Sequence, residues 1–141
     1  MKRKHFLSSF IPLAASLSAV ARGKTSIGPE SPVAIPPYLK PGDTVGICCP
    51  AGFMKTEDIQ PALLKLAEWG FKTKVGATVG KKDFTYGGTD EERLQDLQQM
   101  LDDKSVKAIL FARGGYGGVR IIDKLNFKRF DKDPKWIIGF S

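Results

Sequence analysis

Between residues 38 and 141 the apolar positions fall into short blocks separated by stretches of helical period. Thr44-Val45-Gly46-Ile47-Cys48-Cys49 is an apolar run rich in β-branched residues, introduced by the turn Pro41-Gly42-Asp43 and ended by Pro50. A run with no polar alternation predicts a strand buried on both faces, as in a parallel sheet, with both cysteines in the core. The period then changes. Ile59, Leu63, Leu66 and Ala67 share one helical face, Asp58 is placed to cap it, Pro61 sits in its first turn, and Gly70 ends it. Residues 71–75 predict a second strand and residues 80–88 a loop. Thr89-Asp90-Glu91-Glu92 has the form of a capping box, after which Leu94, Leu97, Met100 and Leu101 carry a helix to about Asp102. Residues 106–111 predict a third strand and residues 113–118 a glycine-rich loop. A short helix through Ile121, Ile122 and Leu125 follows, and Trp136-Ile137-Ile138 begins a fourth strand.

Strands alternating with helices predict an α/β fold, an open parallel sheet with flanking helices in a Rossmann-like layout. The last residues, Gly139-Phe140-Ser141, run straight out of the fourth strand with no covering helix. The expectation is a chain cut off at the sheet's carboxyl edge.

The N-terminal residues change the picture of location. Lys2-Arg3-Lys4, an apolar run over residues 6–20 and the small-x-small ending Ala19-Val20-Ala21 make residues 1–21 a signal peptide. The run is too short and too rich in serine for a stable membrane anchor, so the expectation is an exported protein, periplasmic or secreted. Residues 22–37, with four prolines and two glycines, read as a linker, leaving residues 38–141 as the domain. The formal charge of +7 includes the three leader cations; beyond residue 21, 19 basic residues face 15 acidic ones, or +4. Interspersed charges of that size argue against nucleic acid as a partner. Two adjacent cysteines and one histidine, His5, offer no spaced metal site and point to no cofactor.

In an open α/β sheet, ligands bind beyond the carboxyl ends of the strands, where two segments arrive. One is Arg113-Gly114-Gly115-Tyr116-Gly117-Gly118, whose glycines let backbone amides approach a ligand at a helix start. It fits neither a dinucleotide fingerprint, which would need a small residue at Arg120, nor a phosphate-binding P-loop. A tight connection and an anion or oxyanion site fit it equally. The other segment is Gly139-Phe140-Ser141, which reads either as a plain turn or as a nucleophile elbow. A serine nucleophile needs a base, and there is no histidine after His5, so these residues cannot complete a Ser-His-acid triad alone.

Four motifs in order resemble the N-terminal half of the LD-carboxypeptidases, the murein tetrapeptide carboxypeptidase family of serine peptidases, which includes the microcin C self-immunity peptidases. They are Leu39-Lys40-Pro41-Gly42-Asp43-Thr44-Val45-Gly46 with Pro50-Ala51-Gly52; Gly88-Thr89-Asp90-Glu91-Glu92-Arg93 with Asp96-Leu97; Arg113-Gly114-Gly115-Tyr116-Gly117; and Ile138-Gly139-Phe140-Ser141. The resemblance implies a class I glutamine-amidotransferase-like N-terminal domain with Ser141 as nucleophile. Gly115 or its neighbour would be a backbone oxyanion donor, and Arg113, Gly114 and Tyr116 would border the substrate. It implies no metal or cofactor, a peptidoglycan-derived peptide as partner, and room for a homodimer. The family's glutamate and histidine lie in a C-terminal domain, so the expected activity is cleavage of the bond to a terminal D-alanine, absent from this chain in isolation. The alternatives are a small binding domain or remnant without turnover, and a peptidase of the microcin immunity branch.

Overall fold

The computed structural model describes residues 34–139. The signal-peptide reading, the linker up to residue 33, and Phe140 and Ser141 lie outside the described residues. Strands β1 (Thr44–Cys48), β2 (Lys72–Val75), β3 (Val106–Phe111) and β4 (Trp136–Ile138) form one parallel sheet in the order β2-β1-β3-β4. Helices α1 (Gln60–Glu68) and α2 (Asp90–Asp102) cover opposite faces. On one face Val45, Ile47 and Ala108 meet Leu66; on the other Cys48 and Ile109 meet Leu97, Met100 and Leu101. This is the open parallel α/β sheet that the alternation of elements predicts.

The register contains one irregularity. Thr44 pairs with Val106 but Val45 with Ala108, so β3 holds an extra residue, the exposed Lys107. The bulge lets Val106 and Ile109 both pack into the α2 face, against the strict alternation of a regular strand.

Helix ends follow their chemistry closely. Gly70, at φ +82°, ends α1 with its N–H donating to Ala67 O (2.9 Å) while Phe71 N–H donates to Leu66 O (2.9 Å), the paired bonds of a Schellman cap. At α2 the Thr89 side chain accepts from Glu92 N–H and the Glu92 carboxylate accepts from Thr89 N–H, completing the expected box. Asp58 is different: it lies inside a 3-10 turn, Glu57–Ile59, that leads directly into α1, and no side chain caps the helix. Ala67 is exposed, so α1 buries a narrower face than its spacing suggests. The predicted helix around Ile121 is instead two 3-10 turns, Tyr116–Arg120 and Ile122–Lys124, because glycines at 117 and 118 disfavour a continuous α-helix.

No basic residue occupies the last turn of α2, and cations from elsewhere serve it. The buried Lys135 ammonium donates to Met100 O (3.2 Å) and Asp103 O (2.7 Å), and Arg129 donates to Asp102 O (3.1 Å). Burial lowers the Lys135 pKa, which those two carbonyls tolerate. Asp103 accepts from Lys74 (2.6 Å) and from the backbone and hydroxyl of Ser105, tying α2 to edge strand β2. The chain before β1 is anchored as well: the Trp136 indole N–H donates to Pro37 O (2.9 Å), and its ring stacks with Tyr38.

Two expected outcomes follow from these contacts. The Lys74 ammonium, then Ser105, holds the Asp103 carboxyl well below the usual carboxylate range. Its stabilisation is therefore present above an unfolded pKa of about 3.9 and is lost as pH falls through the lower folded value. The thermal midpoint should fall less between pH 5 and pH 2 in Asp103→Asn than in the wild type; equal falls contradict the assignment. Burial raises both thiols, Cys49 to about 11. Neither should react with a thiol reagent at pH 8 until denaturant unfolds the domain.

Candidate active site

The sheet order reverses direction between β1 and β3, and the loops leaving their carboxyl ends enclose a crevice at that switch point. Two charged residues of α2 hold the loops there. Arg93 and Asp96 extend the buried stripe of Leu97, Met100 and Leu101 towards the helix N-terminus, at the same helical spacing. Arg93 is fully buried. Its guanidinium donates to Pro50 O after β1 (2.7 Å), Gly117 O after β3 (2.6 Å), Gly88 O (3.2 Å) and the Asp90 carboxylate. Asp96 accepts from Ala77 N–H (3.0 Å), Thr78 N–H (2.9 Å) and the Thr78 hydroxyl, and Thr78 Oγ1 in turn accepts from Cys49 N–H (2.8 Å). All three strand-end loops are thus referenced to one helix turn. Close packing leaves no space for side chains at the contact points: a Cβ on Gly117 would stand 2.6 Å from Arg93 Nη1, and one on Gly76 2.5 Å from Asp96 Oδ2.

A hairpin forms the outer wall. Asp83 and Tyr86 exchange backbone hydrogen bonds (3.0 and 2.8 Å), Tyr86 bridges Gly52, and Phe53 N–H donates to Thr85 O (3.0 Å). At its tip Phe84 has φ +54° and is 81% exposed. A bulky residue in that region costs about 1–2 kcal/mol, and no burial of its ring offsets this. The Arg93 and Arg120 guanidiniums both lie against the Tyr86 ring, 4.8 and 5.5 Å from its centroid. Asp90 pairs with both arginines, and Arg120 chiefly holds its carboxyl below the usual range.

The glycine loop crosses between two clefts. Arg113, Gly114, Gly115 and Tyr116 line a cleft of about 410 Å³ together with Phe53 and Lys82. Gly114, Gly115 and Tyr116 also line a second cleft of about 410 Å³, shared with Gly139 at the end of β4. The structure thus brings four predicted site residues together and sets the chain two residues before Ser141 in a shared cleft with Gly115; Ser141 itself lies outside the described residues. Gly115 has φ +132°, and neither its N–H nor that of Gly114 donates a hydrogen bond among the described residues. These amides precede a five-residue 3-10 turn, not the α-helix start expected from sequence, so any anion would be held by the N–H groups without a helix dipole. Among the described residues no group of three His, Cys, Asp or Glu side chains converges as metal ligands would.

Sequence reasoning from periodicity missed Arg93 and Asp96 as buried residues, although the stripe through Leu97 and Met100 passes through both. It also missed Phe53, Lys82 and Phe84, because they reach the cleft from a loop without periodic signal.

A family model for the LD-carboxypeptidase N-terminal domain matches residues 45–141. A probable murein peptide carboxypeptidase of Bacillus subtilis (strain 168) is 40% identical over 106 residues, covering 75% of this chain and 33% of its own length. The murein tetrapeptide carboxypeptidase of Pseudomonas aeruginosa is 31% identical over 98 residues, covering 69% and 32%. Among solved structures, the muramoyltetrapeptide carboxypeptidase from Oxalobacter formigenes matches with a TM-score of 0.61 at 26% identity, over 70% of this chain and 33% of that one. A microcin C7 self-immunity protein in complex with aspartyl sulfamoyl adenosine matches with a TM-score of 0.72 at 26% identity, over 77% and 33%. The chain spans about a third of the length of the curated relatives it matches.

Replacing Arg93 by methionine leaves the carbonyls of Pro50, Gly88 and Gly117 without their donor. Denaturant unfolding should show a loss of about 3–5 kcal/mol, and Arg93→Lys should not restore it, since one ammonium cannot span the same acceptors. A loss below about 1 kcal/mol would remove Arg93 from this role.

Proposed function

The chain belongs to the LD-carboxypeptidase family, and from that premise we propose that it supplies the nucleophile and oxyanion-binding part of a serine carboxypeptidase acting on murein peptides. The observation that carries the reading is the cleft shared by Gly115 and Gly139, with the Gly115 N–H lacking an acceptor among the described residues. In this reading the Ser141 hydroxyl attacks the carbonyl joining an L-configured centre to a terminal D-alanine. A base takes the hydroxyl proton, and the tetrahedral oxyanion accepts from Gly115 N–H. Collapse expels the D-alanine amine, which takes the proton back, and water then hydrolyses the acyl ester. Such a donor is typically worth about 10²–10³ in rate. Arg113, Gly114 and Tyr116 border the substrate. The one histidine of this sequence is His5; in this reading the base is the histidine that the family resemblance assigns to a C-terminal domain.

The basic, apolar and small-residue pattern of residues 1–21 supports export, which would bring the site to peptides outside the cytoplasm.

A chimera tests the assignment of Ser141. Residues 34–141 joined to the remainder of the Bacillus subtilis relative should release D-alanine from murein tetrapeptide, whereas the 141-residue chain alone should not. Ser141→Ala in the chimera should lower the rate by about 10³-fold or more. Release that survives this substitution refutes the serine mechanism.

A further inference from the structure

The cleft between Phe53, the Asp83–Tyr86 hairpin and the Arg113–Tyr116 segment holds more positive charge than amide donors for an oxyanion require. Its lining contains two cations, Lys82 and Arg113, and no carboxylate. Neither forms an ion pair among the described residues. The Lys82 ammonium instead lies over the Phe53 ring, 5.4 Å from its centroid, which holds it at the cleft wall. The Arg93 and Arg120 guanidiniums, which lie against the Tyr86 ring, are outside the lining, as are the carboxylate that pairs with them, Asp90, and Asp83 at the base of the hairpin. Unanswered cations between aromatic walls focus a positive potential on the space they enclose.

The aromatic walls are themselves unexplained by folding. Tyr116 is 87% exposed, and Phe84 keeps its left-handed backbone with its ring 81% exposed. Backbone strain that no core contact requires accumulates where a side chain is needed for a ligand. Both rings border the same cleft as the two cations.

We propose that this cleft is a carboxylate-recognition subsite: Lys82 and Arg113 pair with a free carboxylate of the bound peptide, and Phe53, Phe84 and Tyr116 shield the pair from water. The assignment rests on the peptidase reading, in which the scissile carbonyl lies at Gly115. A peptidase that removes one terminal residue must sense the chain end, and charge is what distinguishes it. Arg113 is two residues from Gly115, which favours the terminal carboxylate over one further along the peptide. The planar guanidinium can take that carboxylate through two parallel hydrogen bonds while the lysine adds a second charge.

The test titrates murein tetrapeptide and its C-terminal amide into the full 141-residue chain by calorimetry. Lys82→Ala and Arg113→Gln should each raise the Kd for the tetrapeptide about tenfold or more. Phe84→Gly, which suits the left-handed turn, should weaken binding without lowering the thermal midpoint. Amidation should cost the wild type as much as the charge variants do, and those variants should bind acid and amide alike. If the variants weaken acid and amide equally, the subsite stands and its partner is a carboxylate within the peptide. Wild-type affinity in both charge variants, or no saturable binding by the wild type, overturns the proposal. The chimera separates the two readings. Release of D-alanine with an unchanged KM in Lys82→Ala and Arg113→Gln removes the subsite alone. Binding that depends on both cations without any D-alanine release removes the peptidase reading and leaves the subsite.

Discussion

A pair of charged side chains buried one turn apart on α2 is the constraint on which the carboxyl edge of this sheet depends. Loops leaving parallel strands carry backbone groups that the sheet ladder does not reach, and burying those that stay unpaired would cost more than a small domain can spare. Arg93 answers the carbonyls after β1 and β3, and Asp96 answers the N–H groups after β2. Because guanidinium and carboxylate are rigid and directional, they fix loop positions as well as satisfying them. Apolar side chains in the same places would fill the volume and leave the crevice undefined.

The glycines near the crevice are better understood through these two residues than through flexibility. Gly76 and Gly117 are where the backbone comes close enough for Asp96 and Arg93 to reach it. Gly115, at φ +132°, does need a glycine's conformational freedom, and its N–H donates no hydrogen bond among the described residues. The crevice falls at the strand-order reversal, so the amides are offered where an α/β sheet places its ligands.

Much of the frame was legible because its signals are local. β3 coincides with the apolar run at residues 106–111, and the capping box at Thr89 and Glu92 forms as its spacing requires. Gly70 ends α1 where expected. Asp58 does not cap because a capping residue itself needs extended backbone, whereas the 3-10 turn that contains it delivers the chain into α1 already helical. After the glycine loop 3-10 turns replace the expected helix, since three apolar residues in the right spacing do not outweigh Gly117 and Gly118. At the site, the loop at 113–116 was visible from its glycines. The contribution of residues 53 and 82–86 was not, because a hairpin stabilised by Gly52 and Thr85 backbone contacts leaves no periodic trace.

The two ends of α2 have different clients. Its first turns grip the glycine loop through Arg93, while its last carbonyls receive Lys135, the residue immediately before β4. The helix therefore works as a gauge block, setting how far the strand leading to Gly139 stands from the loop it faces. One residue inserted within it would advance one end by about 1.5 Å and swing it through about 100° relative to the other. Side-chain exchanges along its outer surface can accumulate freely, but its length is dimensioned by the site at both ends.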